Sequence, residues 1–461
     1  MSKLPEGPQI PEWLQLIYWI ADPLKYLDQC VERYGDTFTI RLSGLEPLVI
    51  LSHPQPIQEV LTAPPSQFKS GSGNELLRPL LGETSMTLLD GQPHQRQRKL
   101  LIPPFHGQRI NSYSQLICDI TEQVASQWVI GQAFTARTAM QDITIQVIMQ
   151  GVFGLGHGPR YQKLKPLLAA MLDMTSSPLR SSMLFFKFLQ RDLGAWSPWG
   201  KLVRRRQEIY NLLQEEINQR REQPEHMGND ILSLMMSARD ENGELMSDHE
   251  LQDQLMTLLF AGHETTATAL AWAFYWIHRL PTVRQKLLEE IDSLGDNPDP
   301  MAIAQLPYLT AVAYETLRIY PVAFVIFARI TTAPITIMGH HYQANTTLFA
   351  CPYLTHRRED LYPDSDQFKP ERFLERQYSA YEYFPFGGGN RRCIGATLAM
   401  LEMKLVLAKV LSNYHLALAQ DKIIKPARRG FAIAPENGVP MVMTGQRVAK
   451  DSPKPATVNS I

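Results

Sequence analysis

The sequence has almost no excess charge of either sign: 45 Lys and Arg stand against 46 Asp and Glu, a formal net charge of −1. A chain so balanced lacks the basic surface that displaces phosphate counterions, which argues against a nucleic-acid partner. Cysteine is equally scarce. The four residues, Cys30, Cys118, Cys351 and Cys393, share no short spacing, so neither a zinc knuckle nor a disulfide framework is expected. Long apolar runs are missing too. A spanning helix needs about 18 apolar residues, whereas the best internal run, Thr265–His278, follows Glu264 and stops before Arg279. The stretch Trp13–Ile20 is shorter still and no A-x-A cleavage pattern follows it, so no secretory signal is expected. It is expected to pack against the body of the protein, with peripheral contact at a membrane surface as the alternative. What is present, 44% hydrophobic and 20% charged residues, is a globular composition with a large core. A soluble, cytoplasmic protein is expected.

Length alone allows about three domains, yet no internal repeat or long linker divides the chain. Asp36–Ser52 has the β-branched content and turn flanks of a hairpin. Helical patterns dominate from about residue 90 to 320; in Gln207–Glu222, apolar Ile209, Leu212, Leu213 and Ile217 sit among charges at one-sided spacing. Strand-like pieces return at Ile330–Phe349 and Phe431–Met443. The longest helix is announced by Ser247-Asp-His-Glu250, a capping-box pattern. No proline interrupts the chain before Pro281, which allows roughly 33 residues and about 50 Å of helix. Its apolar middle carries Gly262, His263, Glu264, Thr265 and Thr266, polar groups that are costly to bury unpaired.

The strongest local signal is Phe386-Gly-Gly-Gly-Asn-Arg-Arg-Cys-Ile-Gly395. Three glycines let a backbone approach a flat ligand and take positive φ. Cys393 stands at the N-terminus of an expected helix, Ala396–Leu411, where free N–H groups favour a thiolate. A thiolate is the ligand that haem iron needs for O–O cleavage. A lone cysteine in such a turn would more often be buried and inert, but the whole motif reverses those odds.

With Glu315-Thr-Leu-Arg318, Pro370-Glu-Arg-Phe373 and Ala261-Gly-His-Glu-Thr-Thr266 in order along the chain, the sequence resembles the cytochromes P450 over nearly its whole length. E-x-x-R alone is weak, since it is also an ordinary i,i+3 surface pair; the four motifs together are specific. The resemblance implies a mainly α fold, a large helical part around a long central helix with a smaller β-rich part, in a single haem domain of residues 1–448; the tail at 449–461, polar and proline-containing, is expected to be disordered. It implies haem b with Cys393 as axial ligand, and a buried structural cluster of Glu315, Arg318 and Arg372. His94 and Arg98, with Arg391 and Arg329, are the residues it implies for the haem propionates, and Phe386 and Ala261 complete the haem surroundings. Ala261 and Gly262 are expected to leave room over the iron. Glu264 and Thr265 form the implied acid–alcohol pair that delivers protons to bound oxygen, whereas His263 is given no catalytic role.

The pocket regions implied by the resemblance, Leu164–Gln190, Leu258, Leu259, Val322, Phe324, Val325, Phe431 and Ala432, are mainly apolar, the first being rich in Leu, Met and Phe. Such a pocket suits a fatty acid, alkane, or terpenoid- or retinoid-like substrate, with Arg78 and Arg180 as candidate partners for a carboxylate. O₂ is the co-substrate. No fused reductase domain is expected, so electrons would come from a ferredoxin or flavodoxin and its reductase, NAD(P)H acting only through them. Arg96, Lys99, Arg392 and Lys404 are the candidate basic patch for that partner. The resulting expectation is a monomeric haem-thiolate monooxygenase. Its alternatives are a peroxide-using hydroxylase and a non-catalytic haem ligand binder or sensor.

Overall fold

The computed structural model describes residues 4–176, 184, 190–223, 225, 227–430 and 432–447. The expected tail at 449–461, Arg180, Phe431 and much of Leu164–Gln190 therefore lie outside the described residues.

The architecture is built around the long helix. Both halves of the capping box form: the Ser247 hydroxyl accepts from the Glu250 amide at 3.3 Å, and the Glu250 carboxylate accepts from the Ser247 amide at 2.8 Å. The helix runs Asp248–Arg279, 32 residues, and yields to a new helix, Pro281–Asp292, because proline is tolerated at a first helical position and not in an interior. It is apolar around most of its circumference because other elements surround it: helices Ala136–Val147, Pro307–Ile319 and Ala396–Asn413, and the strand Ala432–Pro435. Trp272 is fully buried there, its indole N–H donating to the Ile433 carbonyl at 3.2 Å.

The one-sided pattern at Gln207–Glu222 is the second half of a longer helix, Pro198–Glu222, which starts where the Ser197 hydroxyl caps the Gly200 amide. Ile209, Leu213 and Ile217 turn inward, while Leu212 is only partly buried.

Among the described residues the β-rich part is a five-stranded sheet and three smaller ones. The expected hairpin pairs Thr37–Ile40 with Leu48–Leu51, and Leu48–Leu51 then runs parallel to Thr347–Ala350. Arg329–Thr331 joins Thr347–Ala350 on its other side, so the stretch after residue 328 contributes two strands to this sheet; Ile335–Ile337 and His340–Tyr342 between them pair only with each other. The last strand-like region also divides. Ala432–Pro435 pairs with Pro426–Arg429, whereas Pro440–Gln446 lies between Ala133–Thr135 and Tyr414–Leu418.

At the N-terminus, helix Glu12–Ala21 packs Leu16 and Trp19 on a second core cluster and buries Gln15, which accepts from Tyr26 and from the Arg41 amide, both at 2.9 Å. Its other face leaves Trp13 58% and Ile17 49% exposed. Among the described residues no helix is long and apolar enough to cross a membrane.

Candidate active site

The cysteine loop is shaped by the protein itself before any ligand is considered. Gly387 and Gly389 have φ of 66° and 63°, the left-handed region that glycine adopts freely. A Cβ on Gly389 would stand 2.2 Å from the Leu61 carbonyl oxygen, and one on Gly388 2.7 Å from the Leu61 side chain. The glycines at 388 and 389 are thus needed for close packing on the helix Pro54–Thr62, a protein contact that the ligand-approach reading of the sequence did not foresee. The Cys393 amide closes the loop by donating to the Phe386 carbonyl at 3.0 Å, and helix Ala396–Asn413 starts three residues later. Phe386 is half-buried on the main core. Cys393 counts as exposed by surface area, yet burial is the largest influence on its thiol and pushes its pKa up, opposed by the Gly395 amide, Arg98 and Arg392. An open surface in a buried setting means that the thiol faces an interior hollow.

The central helix presents the same signature. Ala261 and Thr265 are exposed, one turn apart, in the middle of an otherwise buried helix, so their shared face lines a cavity. The Thr265 hydroxyl donates to the Ala261 carbonyl, the i−4 back-bond open to threonine in a helix. Gly262 packs closely on Ile148, whose side chain would lie 3.2 Å from a Cβ there. His263 turns into helix Ala136–Val147, its Nδ1 2.8 Å from the Thr144 hydroxyl, and burial pushes its imidazole down to about 4. Glu264 turns to the same helix. It forms an ion pair with Arg137, accepts from Gln141 at 2.8 Å and from Thr268 at 3.3 Å, and keeps 20% of its side chain exposed. Arg137 and Gln141 went unforeseen; the available signal was a lone arginine among the apolar residues Ala136, Met140 and Ile143 of a buried helix.

The structure groups four basic residues. His94 is buried on helix Gly91–Leu101; burial, then Arg391, Arg98 and Arg329, push its imidazole down to about 3, so it is neutral near pH 7. Arg98 donates to the Arg392 carbonyl at 2.8 Å and is close enough to Cys393 to sense its charge. Arg391 donates to the Met86 carbonyl at 3.2 Å, to the Leu89 carbonyl, and to Asp90 at 2.7 Å. Arg329 donates to the Ser70 hydroxyl at 3.1 Å and to the Phe327 and Gly388 carbonyls at 3.0 and 3.3 Å, and burial pushes it down to about 10. Asp90 is the unforeseen organiser. Burial alone would raise its carboxyl, but the amides of Gly71, Ser70 and Ser72, with Arg391, hold it below the ordinary range.

Glu315, Arg318 and Arg372 come together out of solvent. Arg318 grips Glu315 through two bonds of 2.7 and 2.8 Å, and its remaining donors reach the carbonyls of His356, Ser365 and Gln367 at 2.7 to 3.0 Å. Arg372 adds a bond of 3.2 Å to Glu315, and the Lys369 amide one of 2.8 Å. His356 then accepts from the Phe384 amide at 3.0 Å, which connects the cluster to the start of the cysteine loop.

Two other sets of expected residues are revised. Leu259 is fully buried in the main core, and Phe324 packs on Trp19, ring centroids 5.2 Å apart, with the partly buried Val325 against the same second core cluster. Leu258, Val322 and Ala432 are buried close to their helix and hairpin, the Ile433 amide donating to the Val322 carbonyl at 2.9 Å. The basic patch is also mostly spoken for: Arg96 pairs with Asp240 and Glu250, both at 2.6 Å, Lys99 with Glu241, and Lys404 donates to the Ala304 carbonyl. Arg392 alone of the four is exposed with no ion pair among the described residues. Arg78, the candidate carboxylate anchor, is held by Glu75 at 2.7 Å.

Comparison with known proteins places this geometry. A family model described as Cytochrome P450 matches residues 5–440. A Mycobacterium tuberculosis protein carrying the name cytochrome P450 135B1 is 34% identical over 440 residues, covering 94% of this chain and 90% of that protein. A second from the same organism, named cytochrome P450 138, is 31% identical over 443 residues and covers 96% of both. Among solved structures, a retinoic acid-bound cyanobacterial CYP120A1 superposes with a TM-score of 0.84 at 24% identity, covering 97% of this chain and all of that one. The haem domain of cytochrome P450DA gives 0.82 at 24% identity, covering 97% and 99%.

Proposed function

The chain belongs to the cytochrome P450 family, and from that premise we propose that it oxidises a large apolar substrate, a fatty acid, alkane or terpenoid- or retinoid-like molecule, with electrons from a separate ferredoxin or flavodoxin and its reductase. Membership carries the general chemistry, a haem held by a cysteine thiolate that activates O₂. The residues present fit that group on their own terms. Cys393 has an open surface in a buried setting, the Ala261–Thr265 face lies open in the middle of the buried central helix, and of Arg98, Arg329 and Arg391 only Arg391 is paired with a carboxylate, that of Asp90, among the described residues. That unbalanced charge complements a ligand bearing two carboxylates.

In this reading Cys393 holds the iron, and His94, Arg98, Arg329 and Arg391 hold the propionates. When bound, the haem supplies the one-electron chemistry and the oxygen activation. The chain supplies the rest. Thr265, its proton engaged by the Ala261 carbonyl, turns oxygen lone pairs to the cavity, where they accept from water. Glu264 stands next to it in sequence but is anchored to Arg137 and Gln141 with part of its carboxylate wet. It can take protons from solvent and release them inward only when that anchorage loosens, so the relay is gated at Arg137.

The open Cys393 thiol in a buried setting, together with the open Ala261–Thr265 face of the buried central helix, is the observation that supports the proposal. Its first test is the carbon monoxide complex of the reduced protein: the red-shifted absorption specific to thiolate ligation is expected, and Cys393→Ser should abolish it. Turnover is then compared with reductant and O₂, and with peroxide alone; faster product formation from peroxide would overturn the redox-partner reading. Spin-state titrations with fatty acids, alkanes, sesquiterpenes and retinoids address the substrate. The retinoic acid of the cyanobacterial fold neighbour belongs to the same apolar class and is one of the ligands to try.

A further inference from the structure

At the C-terminal end of the central helix lies a hollow of about 380 Å³, lined by His278, Pro281, Arg284, Leu288, Asp292 and Arg447 together with Gln285 and Glu289. It belongs to a different region from the site above. His278 follows Thr265 by thirteen residues, about 20 Å along the helix axis.

Two polar groups in this hollow are buried without partners. The first is His278. Its Nδ1 lies 2.8 Å from the Phe274 carbonyl, which can only accept, so Nδ1 carries the proton. Burial keeps the ring neutral, pushing it down to about 4. Nε2 is therefore a bare acceptor, and it is buried with no donor. The second is Arg284, whose Nε–H is buried without an acceptor and which forms no ion pair among the described residues. Burial, and then the neighbouring cation Arg447, hold its pKa below the ordinary value. Arg447 is already satisfied: one of its nitrogens reaches both oxygens of Asp292 at 2.8 and 3.1 Å, and another the Leu411 carbonyl at 3.0 Å. Glu289 accepts from Gln285 across its own helix and is not within ion-pair distance of Arg284. The hollow thus contains one uncompensated guanidinium and one uncompensated neutral acceptor. Unmet groups of this kind are costly to bury unless something satisfies them.

We propose that this hollow binds a small oxyanion that carries its own O–H, the anionic oxygens accepting from Arg284 and the hydroxyl donating to His278 Nε2. Hydrogen phosphate and 2-hydroxycarboxylates share that chemistry. Sulfate and acetate have the charge but lack the donor. Leu288 and Pro281 give the ligand an apolar wall, and the volume has room for an organic portion.

The holoenzyme is titrated calorimetrically at constant ionic strength and pH 7 with phosphate, sulfate, lactate and acetate. Phosphate is expected to bind at least tenfold tighter than sulfate, or lactate than acetate, and whichever pair shows the preference identifies the ligand's source. Arg284→Gln should weaken binding at least tenfold. His278→Phe should erase the preference while leaving the weaker anion's affinity unchanged. Neither residue belongs to the haem site, and Arg284→Gln leaves a half-exposed position that tolerates an uncharged side chain. Thermal melts give an independent readout: the preferred anion should raise the melting temperature of the wild type and not of Arg284→Gln. No binding, equal affinity within both pairs, or affinity indifferent to Arg284→Gln would each overturn the proposal.

Discussion

The chain contains two ion pairs of identical sequence pattern and almost identical geometry, which makes burial separately measurable. Glu75-x-x-Arg78 and Glu315-x-x-Arg318 are both i,i+3 pairs gripped by Nε and Nη2, the first through two bonds of 2.7 Å and the second through bonds of 2.7 and 2.8 Å. They differ in solvent. The side chains of Arg78 and Glu75 are 44% and 51% exposed, whereas those of Arg318 and Glu315 are wholly buried. Replacing Glu75 by Gln removes an attraction that water already screens, and should cost about 0–1 kcal/mol. Glu315→Gln keeps the shape but strands Arg318 in the interior with no counterion, and Arg372 loses its carboxylate as well. A broken buried pair costs about 3–5 kcal/mol; the Arg318 bonds to three carbonyls survive, so the lower half of that range is expected, roughly a hundredfold or more in the folding equilibrium. Urea unfolding of the haem-loaded protein, followed in parallel by far-ultraviolet circular dichroism and haem absorption, gives both penalties under one protocol. Equal penalties for the two variants, or less than about 1 kcal/mol for Glu315→Gln, would refute the reasoning that burial and not geometry sets the strength of this pair.

Three other outcomes are expected. Thr265→Ala should slow product formation by about a hundredfold while leaving the carbon monoxide spectrum intact; unchanged product per electron pair consumed would remove Thr265 from proton delivery. Glu402, in the cysteine helix, is buried with one carboxylate oxygen unpartnered, and burial pushes it up to about 8. Above the carboxyl's ordinary 4.5 the unfolded chain releases the proton that the folded chain keeps, so wild-type stability falls as pH rises from 4.5 to about 8. The melting temperature of Glu402→Gln relative to wild type should therefore increase between pH 5 and pH 8, and a constant difference would contradict the assignment. Finally, Arg392→Glu should slow reduction by an acidic ferredoxin more than Lys99→Glu, because Lys99 is already neutralised by Glu241; equal effects in stopped-flow reduction would count against a docking role for Arg392.

What the sequence disclosed and what it concealed follow from the range of the interactions concerned. The central helix was legible to its ends because caps and prolines act within a turn. The hairpin at residues 37–51 was legible for the same reason, its strands being joined by a short turn. The parallel partnership of Leu48–Leu51 with Thr347–Ala350 spans nearly 300 residues of chain, and no local pattern encodes it. The same division runs through the site. E-x-x-R was visible twice and could not by itself say which copy was buried; only the segment carrying His356, Ser365 and Gln367, folded over Arg318, makes that difference. The pocket residues were the least legible, because apolar side chains read alike whether they face a cavity or a core. Phe324 belongs to the core beneath Trp19, and Leu259 to the main core. The anchorage of Glu264 was hidden for another reason: Arg137 lies 127 positions away, on a helix whose apolar residues drew the reading toward packing.

The cationic cluster shows how a fold can prepare for an anion without neutralising itself beforehand. Arg98, Arg329 and Arg391 are held mainly by carbonyl oxygens, those of Arg392, Phe327, Gly388, Met86 and Leu89. A carbonyl fixes a guanidinium in place through a dipole, so orientation is achieved while the full positive charge remains. Asp90 provides the single carboxylate, and its own bonds to three backbone amides divide its charge between the loop at 70–72 and Arg391. The result is a set of oriented cations that disfavours further positive charge and adds to burial, the larger cause, in driving His94 neutral. Such a cluster lowers the reorganisation needed when carboxylates bind, because the side chains are already held where they are wanted. It also accounts for Asp90 preceding His94 so closely: the acid that ties down Arg391 and the first turn of the helix that presents His94 and Arg98 are placed by the same few residues.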